Sequence, residues 1–140
     1  MIPLWAVALA RFLTLMSHLV ALGRVAWARD TPVRASLPLE FSAEEYARVN
    51  TELLCALGLA AGLLAIEFGG FFAGVSRFHR LQGMFSLRFH AAASFTLYYA
   101  LRKCWEVRGF WLLLGLYSVP PAITELLLLV VAALGRRGNL

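Results

Sequence analysis

LLCALGLAAGLLAIEFGGFFAGV, residues 53–75, is the stretch that decides the fold. As a helix rising roughly 1.5 Å per residue it is about 35 Å long, enough to cross a hydrocarbon core roughly 30 Å thick. Glu67 is its only charged residue. A soluble helix of this length carries a polar stripe on its outer face. Here apolar residues run all round, so the solvent this helix suits is lipid. Two small-x-x-x-small pairs, Gly58/Gly62 and Gly70/Gly74, allow neighbouring backbones to approach closely. At about 100° per residue, Gly58 and Gly62 fall on one face and Glu67, Gly70 and Gly74 on roughly the opposite one. That pattern predicts a helix packed between neighbours.

The rest of the chain repeats the theme. Of 140 residues, 61% are hydrophobic and 15% charged. A soluble domain has roughly 45–50% and 25%. A secreted disulfide scaffold, a disordered tail and a cytosolic enzyme are excluded on that balance. Further spans are expected at 4–27, 83–101 and 110–134. The fold class is therefore an all-α membrane protein: a four-transmembrane-helix bundle in one domain, 1–140, with one longer loop between helices 1 and 2. Trp5 and Trp27 sit where interfacial belt residues belong. In the long loop, 28–50, Pro32 and Pro38 disfavour regular structure. Its end, Ser42-Ala43-Glu44-Glu45, fits a capping box and starts the second helix near Ser42, before the membrane. The third span is the least apolar, with Arg88 and His90 near its start. Pro120-Pro121 should kink the fourth, and the carbonyls freed there need protein partners, so the kink should face inward.

Thirteen Lys+Arg against eight Asp+Glu give a net charge of +5. Basic residues flanking spans and facing anionic headgroups account for it. No basic block interleaved with aromatics points to nucleic acid. Both termini fall on one side, and the positive-inside rule does not name it: Arg77, Arg80, Arg88, Arg136 and Arg137 stand against Arg29, Arg34, Arg48, Arg102, Lys103 and Arg108. Arg11 and His18 inside the first apolar run, with no basic segment before it, argue against a cleaved signal peptide. Cys55 and Cys104 lie near the same membrane face, where a disulfide is geometrically possible. Free thiols are the default expectation, and the pair offers neither a C-x-x-C redox motif nor a four-ligand zinc set.

The ionisable residues inside spans carry the most information, because each costs several kcal/mol unless paired or watered. From the face carrying the termini, Arg11 and His90 lie about 10 Å deep, Glu67 about 12 Å and Glu125 about 15 Å. Four helices thus contribute one ionisable group each to one layer. The expected network pairs Arg11 with Glu67 and Glu125 with His90, and Arg88 is able to substitute in either pair. Arg24 reaches the far interface, and His18 shares the Arg11 face of the first span with Thr14. As polar glue the network fixes which helices pair. The alternative is a small transporter or channel subunit using the Glu67/Glu125 layer. No nucleophile stands beside a base at useful spacing, and His79 and His90 lack metal-ligand spacing. Catalytic, cofactor-binding and metal residues are expected to be none, with no small-molecule substrate.

The sequence resembles the transmembrane protein 107 family. The resemblance rests on Arg11-Phe12-Leu13-Thr14-Leu15 with His18-Leu19-Val20, then Trp27-Ala28-Arg29-Asp30. It continues through Leu37-Pro38-Leu39-Glu40-Phe41, Glu44-Glu45-Tyr46, and Gly74-Val75-Ser76 with Phe78. Ala93-Ser94, Trp105-Glu106 and Pro120-Pro121-Ala122 with Thr124-Glu125 complete it, in order and spacing. The extreme N-terminus and the basic stretch 77–88 depart from the pattern. The resemblance implies cytosolic termini and a place in the ciliary membrane at the transition zone. It implies partners among other membrane and peripheral proteins of the Meckel syndrome module, no cofactor, and a non-enzymatic role in controlling ciliary membrane composition, ciliogenesis and Hedgehog signalling. Two docking surfaces suggest themselves: the outward face of Gly58 and Gly62, and the acidic loop segment 40–48.

Overall fold

A computed structural model of the chain describes residues 3–74 and 79–138. Among the described residues the secondary structure is entirely helical. The first helix, α1, is Leu4–Trp27, and a short α2 is Asp30–Ala35. Then come α3, Ala43–Phe72, and α4, Arg80–Arg102. The last long helix starts as α5, Val107–Leu113, widens into a π-helical turn at Leu114–Ser118, and continues as α6, Val119–Gly138. Three helical stretches are long and apolar enough to cross a membrane: Leu4–Trp27, Ala43–Phe72 and Val107–Gly135. The fourth long helix, α4, is less apolar because its buried face carries Gln82, Ser86, His90 and Ser94. The expected end of the second span at Val75, and Arg77 of the basic stretch, lie outside the described residues.

The α1–α4 contact is the most extensive in the bundle. Val7, Arg11, Leu15, His18, Leu22 and Val25 of α1 recur every three or four residues and are buried. On α4 the matching positions are Gly83, Ser86, His90, Ala93, Leu97 and Ala100. This is the spacing of a helix–helix seam. Small residues on α4 bring the backbones close: a Cβ on Gly83 would stand 2.8 Å from Val7 Cγ1. Val7 meets Gly83 and His18 meets His90, so the two helices run parallel, with α3 antiparallel to both. Away from the seams, large apolar side chains face outward. Trp5 is 66% exposed, Trp27 86% and Leu127 59%. A chain with charges inside and tryptophan and leucine outside is arranged for lipid, since in water the same surface would aggregate.

Chain connections depart from the expectation in one place. The loop 28–50 contains α2, where Pro32 and Pro38 were expected to disfavour regular structure. Pro32 falls in the first turn, where its missing N–H has no acceptor to lose. Pro32 and Val33 are buried. The Ser36 hydroxyl accepts the Val107 N–H at 2.9 Å, capping the start of α5. Asp30 ties α2 to α3 by accepting from Tyr46 Oη at 2.5 Å and from Arg34 Nε at 2.8 Å. The Tyr46 bond first, then Arg34, holds the Asp30 carboxyl below its ordinary range, and the same bond raises the Tyr46 phenol. These contacts are solvent-exposed and stabilise little.

The α3 helix begins where the capping signal placed it: Ser42 Oγ accepts the Glu45 N–H at 3.1 Å. It ends at Phe72 with Ala73 as its cap, and Gly74 follows with a φ of +83°, the left-handed conformation that terminates helices. Gly74 is therefore a helix stop, a correction to its expected role in packing. Gly70 is the packing glycine, for a Cβ there would overlap Glu125 Oε1 and lie 2.7 Å from Cδ. Gly58 and Gly62 face outward with nothing within 4 Å of an added Cβ. In the last helix the irregularity falls one turn before the prolines. Val119 N–H bonds Leu114 O, five residues back, and the widened turn relieves the clash of Pro120 and Pro121 with the preceding carbonyls. Pro121 is fully buried, as the inward-facing kink required.

Gly70→Ala should lower the thermal midpoint in detergent micelles by the equivalent of about 1–3 kcal/mol, because α6 must move. Gly62→Ala should leave the midpoint unchanged or raise it by up to about 1 kcal/mol, because the helix gains and nothing is displaced. Equal destabilisation by the two would contradict this packing.

Candidate functional site

The heptad-like seams that bury Leu15 and Leu97 also bury six polar side chains in one connected cluster, about two helical turns deep. Arg11 and His18 come from α1, Glu67 from α3, Ser86 and His90 from α4, and Glu125 from α6; each is at most 1% exposed. Arg11 Nη2 donates to Glu125 Oε2 at 2.8 Å and stands 3.8 Å from Glu67 Oε2. The Arg11 guanidinium also lies over the Phe71 ring, 5.5 Å from its centroid. Glu67 Oε2 accepts from Ser86 Oγ at 2.7 Å and is 2.7 Å from His90 Nε2. His90 Nδ1 lies 2.6 Å from His18 Nδ1, so one of these nitrogens carries the proton and the other accepts it. Gln82 Nε2 donates to Glu125 Oε2 at 3.0 Å and to Pro121 O at 3.4 Å. Thr124 Oγ1 also donates to Pro121 O, at 2.9 Å. Two side chains thus bind the carbonyl of Pro121 inside the protein, a contact that a lipid-facing kink cannot offer.

The four expected residues, Arg11, Glu67, His90 and Glu125, are brought together, with their partners exchanged. Arg11 takes Glu125 as its nearest carboxylate, and Glu67 takes His90. The physical reason is Gly70: without a side chain there, Glu125 slides against α3 and comes within reach of Arg11 across the bundle. Arg88 and Arg24 are exposed and stand apart from the network. Three members were missed by depth alone, namely Gln82, Ser86 and His18 as the partner of His90. Their signal was present as Gln82-Ser86-His90-Ser94, a polar ladder at four-residue spacing on one face of α4.

The polar layer has limits. Beyond His18 and Ser94 the core is apolar, built from Leu22, Leu57, Leu97, Phe110 and Leu113. A cavity of about 20 Å³ lies there, beside His18 and Ser118, with room for about one water. Among the described residues, no three metal-ligating side chains converge. Cys55 and Cys104 are free and exposed. The arrangement joins four helices through hydrogen bonds and one short ion pair. Ser86 is committed to a carboxylate already bonded to His90.

Four long helices, apolar outside and closed around an ionic core, define an all-α membrane protein. Comparison with known proteins agrees and goes further. The family model for transmembrane protein 107 matches residues 7–129. Human transmembrane protein 107 is 40% identical over 121 residues, 86% of each chain. The rat protein of that name is 39% identical over the same share of each chain. The zebrafish one is 38% identical, over 86% of this chain and 90% of its own. No solved structure matches. The chain belongs to the transmembrane protein 107 family.

Glu67→Gln removes the charge that His90, Ser86 and Arg11 share, and should cost about 1–3 kcal/mol of stability in micelles. Glu52→Gln, on the exposed face of the same helix, should stay within about 0.5 kcal/mol. Thermal unfolding of both variants reads the difference, and a Glu67 variant as stable as the wild type would remove the network's structural role.

Proposed function

We propose that this protein is a structural adaptor of the ciliary transition zone. It crosses the ciliary membrane four times with both termini cytosolic. There it anchors other membrane and peripheral proteins of the Meckel syndrome module, and so helps control ciliary membrane composition, ciliogenesis and Hedgehog signalling. The observation that carries this reading is family membership along nearly the whole chain. The geometry supports it, because the intramembrane charges spend their interactions on one another inside the bundle. The role is non-enzymatic and takes no cofactor or small-molecule substrate. What remains outside is an apolar surface, a small-residue face at Gly58 and Gly62, and the acidic start of α3. These are surfaces for helices and loops of partner proteins.

A conducting role has one observation in its favour, the polar ladder on α4 facing Arg11 and His18. It is weakened by the apolar half of the core, because a pathway needs polar lining from end to end. Reconstituted liposomes should show no proton or cation flux above empty vesicles, with Glu125→Gln identical to wild type.

The adaptor reading is tested by tagging the protein in ciliated cells. The expected result is a ring between basal body and axoneme. Diffuse plasma-membrane or endoplasmic-reticulum signal in fully ciliated cells would contradict it.

A further inference from the structure

The four-span bundle has a crevice open to its surroundings at the end carrying the termini, between the start of α4 and the second half of α6. Its volume is about 440 Å³, within the range of roughly 300–1,000 Å³ typical of small-molecule sites. Leu81, Phe85, Leu127, Leu128 and Val131 line it. Leu81 is 79% exposed and Val131 65%, so the lining is presented outward and not closed by protein. Gln82 also lines the crevice while its side chain donates to Glu125, so the pocket reaches the edge of the ionic network. His79 stands at its rim. Its Nδ1 accepts the Gln82 backbone N–H at 3.1 Å, so the ring proton sits on Nε2 and is available to donate.

Charge selects the occupant. Six of the eight acidic residues, Asp30, Glu40, Glu44, Glu45, Glu52 and Glu106, belong to the opposite end of the bundle. The other two, Glu67 and Glu125, are buried in the network. The end bearing the crevice therefore exposes no carboxylate among the described residues. It presents the N-terminus of the 23-residue α4, with Arg80 in its first turn. A helix N-terminus that carries an arginine favours an anion, and an apolar slot beneath it favours a hydrocarbon chain. We propose that the α4–α6 crevice binds an anionic phospholipid, one acyl chain in the slot and the headgroup phosphate at His79 and Arg80. The inference rests on α4 and α6 crossing the membrane, and is independent of where in the cell the protein resides.

The test uses the full-length chain in detergent micelles, read by native mass spectrometry. Palmitoyl-oleoyl phosphatidylserine or the phosphatidylcholine with the same chains is added at equal mole fraction. Phosphatidylserine should be retained about fivefold or more over phosphatidylcholine, the factor one basic residue near a headgroup supplies. Val131→Trp fills the slot and should abolish retention of both lipids. Arg80→Gln should bring the two lipids close to parity. Leu81→Trp serves as a second slot-filling variant if Val131→Trp lowers the thermal midpoint. Equal retention by the wild-type protein would overturn the proposal. So would undiminished binding to folded slot-filled variants, competition by glycerophosphoserine lacking acyl chains, or displacement of the phospholipid by a sterol.

Discussion

The structure depends on one constraint: a guanidinium placed well inside lipid must have a carboxylate beside it. Arg11 has two, Glu125 at 2.8 Å and Glu67 at 3.8 Å, on two other helices. The cost of a charged residue at mid-bilayer, roughly 2.5–3.5 kcal/mol on insertion scales, exceeds the roughly 0.6 kcal/mol that an average interhelical hydrogen bond contributes there. The network's importance therefore lies less in the bonds it makes than in the charge each member would strand by leaving. Packings that separate α1 from α6 or α3 are penalised on that ground, and the helices have few alternatives.

Other features follow from bringing those groups together. Gly70 is small because Glu125 occupies the space of its side chain. Gly83 and the small residues of α4 allow α1 close enough for His18 to meet His90. The π-helical turn absorbs the diproline before Pro121 reaches the core, and Gln82 joins the Pro121 carbonyl to Glu125.

Much of this was legible in the residues. Length, hydropathy and the Ser42 cap placed the helices because these signals are local. Depth along each span placed Arg11, Glu67, His90 and Glu125 in one layer because helical rise is uniform. Which acid meets which base was not legible, since that depends on helix rotation and on the space opened by Gly70. The short α2 was missed because proline was read as a breaker without regard to its place in the first turn. Gly74 was misread because a small residue at a helix end serves termination as readily as packing. The α4 ladder stands in plain four-residue spacing, but the same polar residues lower the helix's apolarity and so weaken its signal as a span.

A double-mutant cycle between Arg11 and Glu125 measures the central interaction most directly. Arg11→Met, Glu125→Leu and the pair would be compared by reversible unfolding in micelles. Each single change strands a charge, whereas the double change leaves apolar groups in its place. The account predicts a coupling of about 1–3 kcal/mol, with the double variant more stable than the sum of the singles. Additivity within about 0.5 kcal/mol would mean that the two charges do not hold the bundle together.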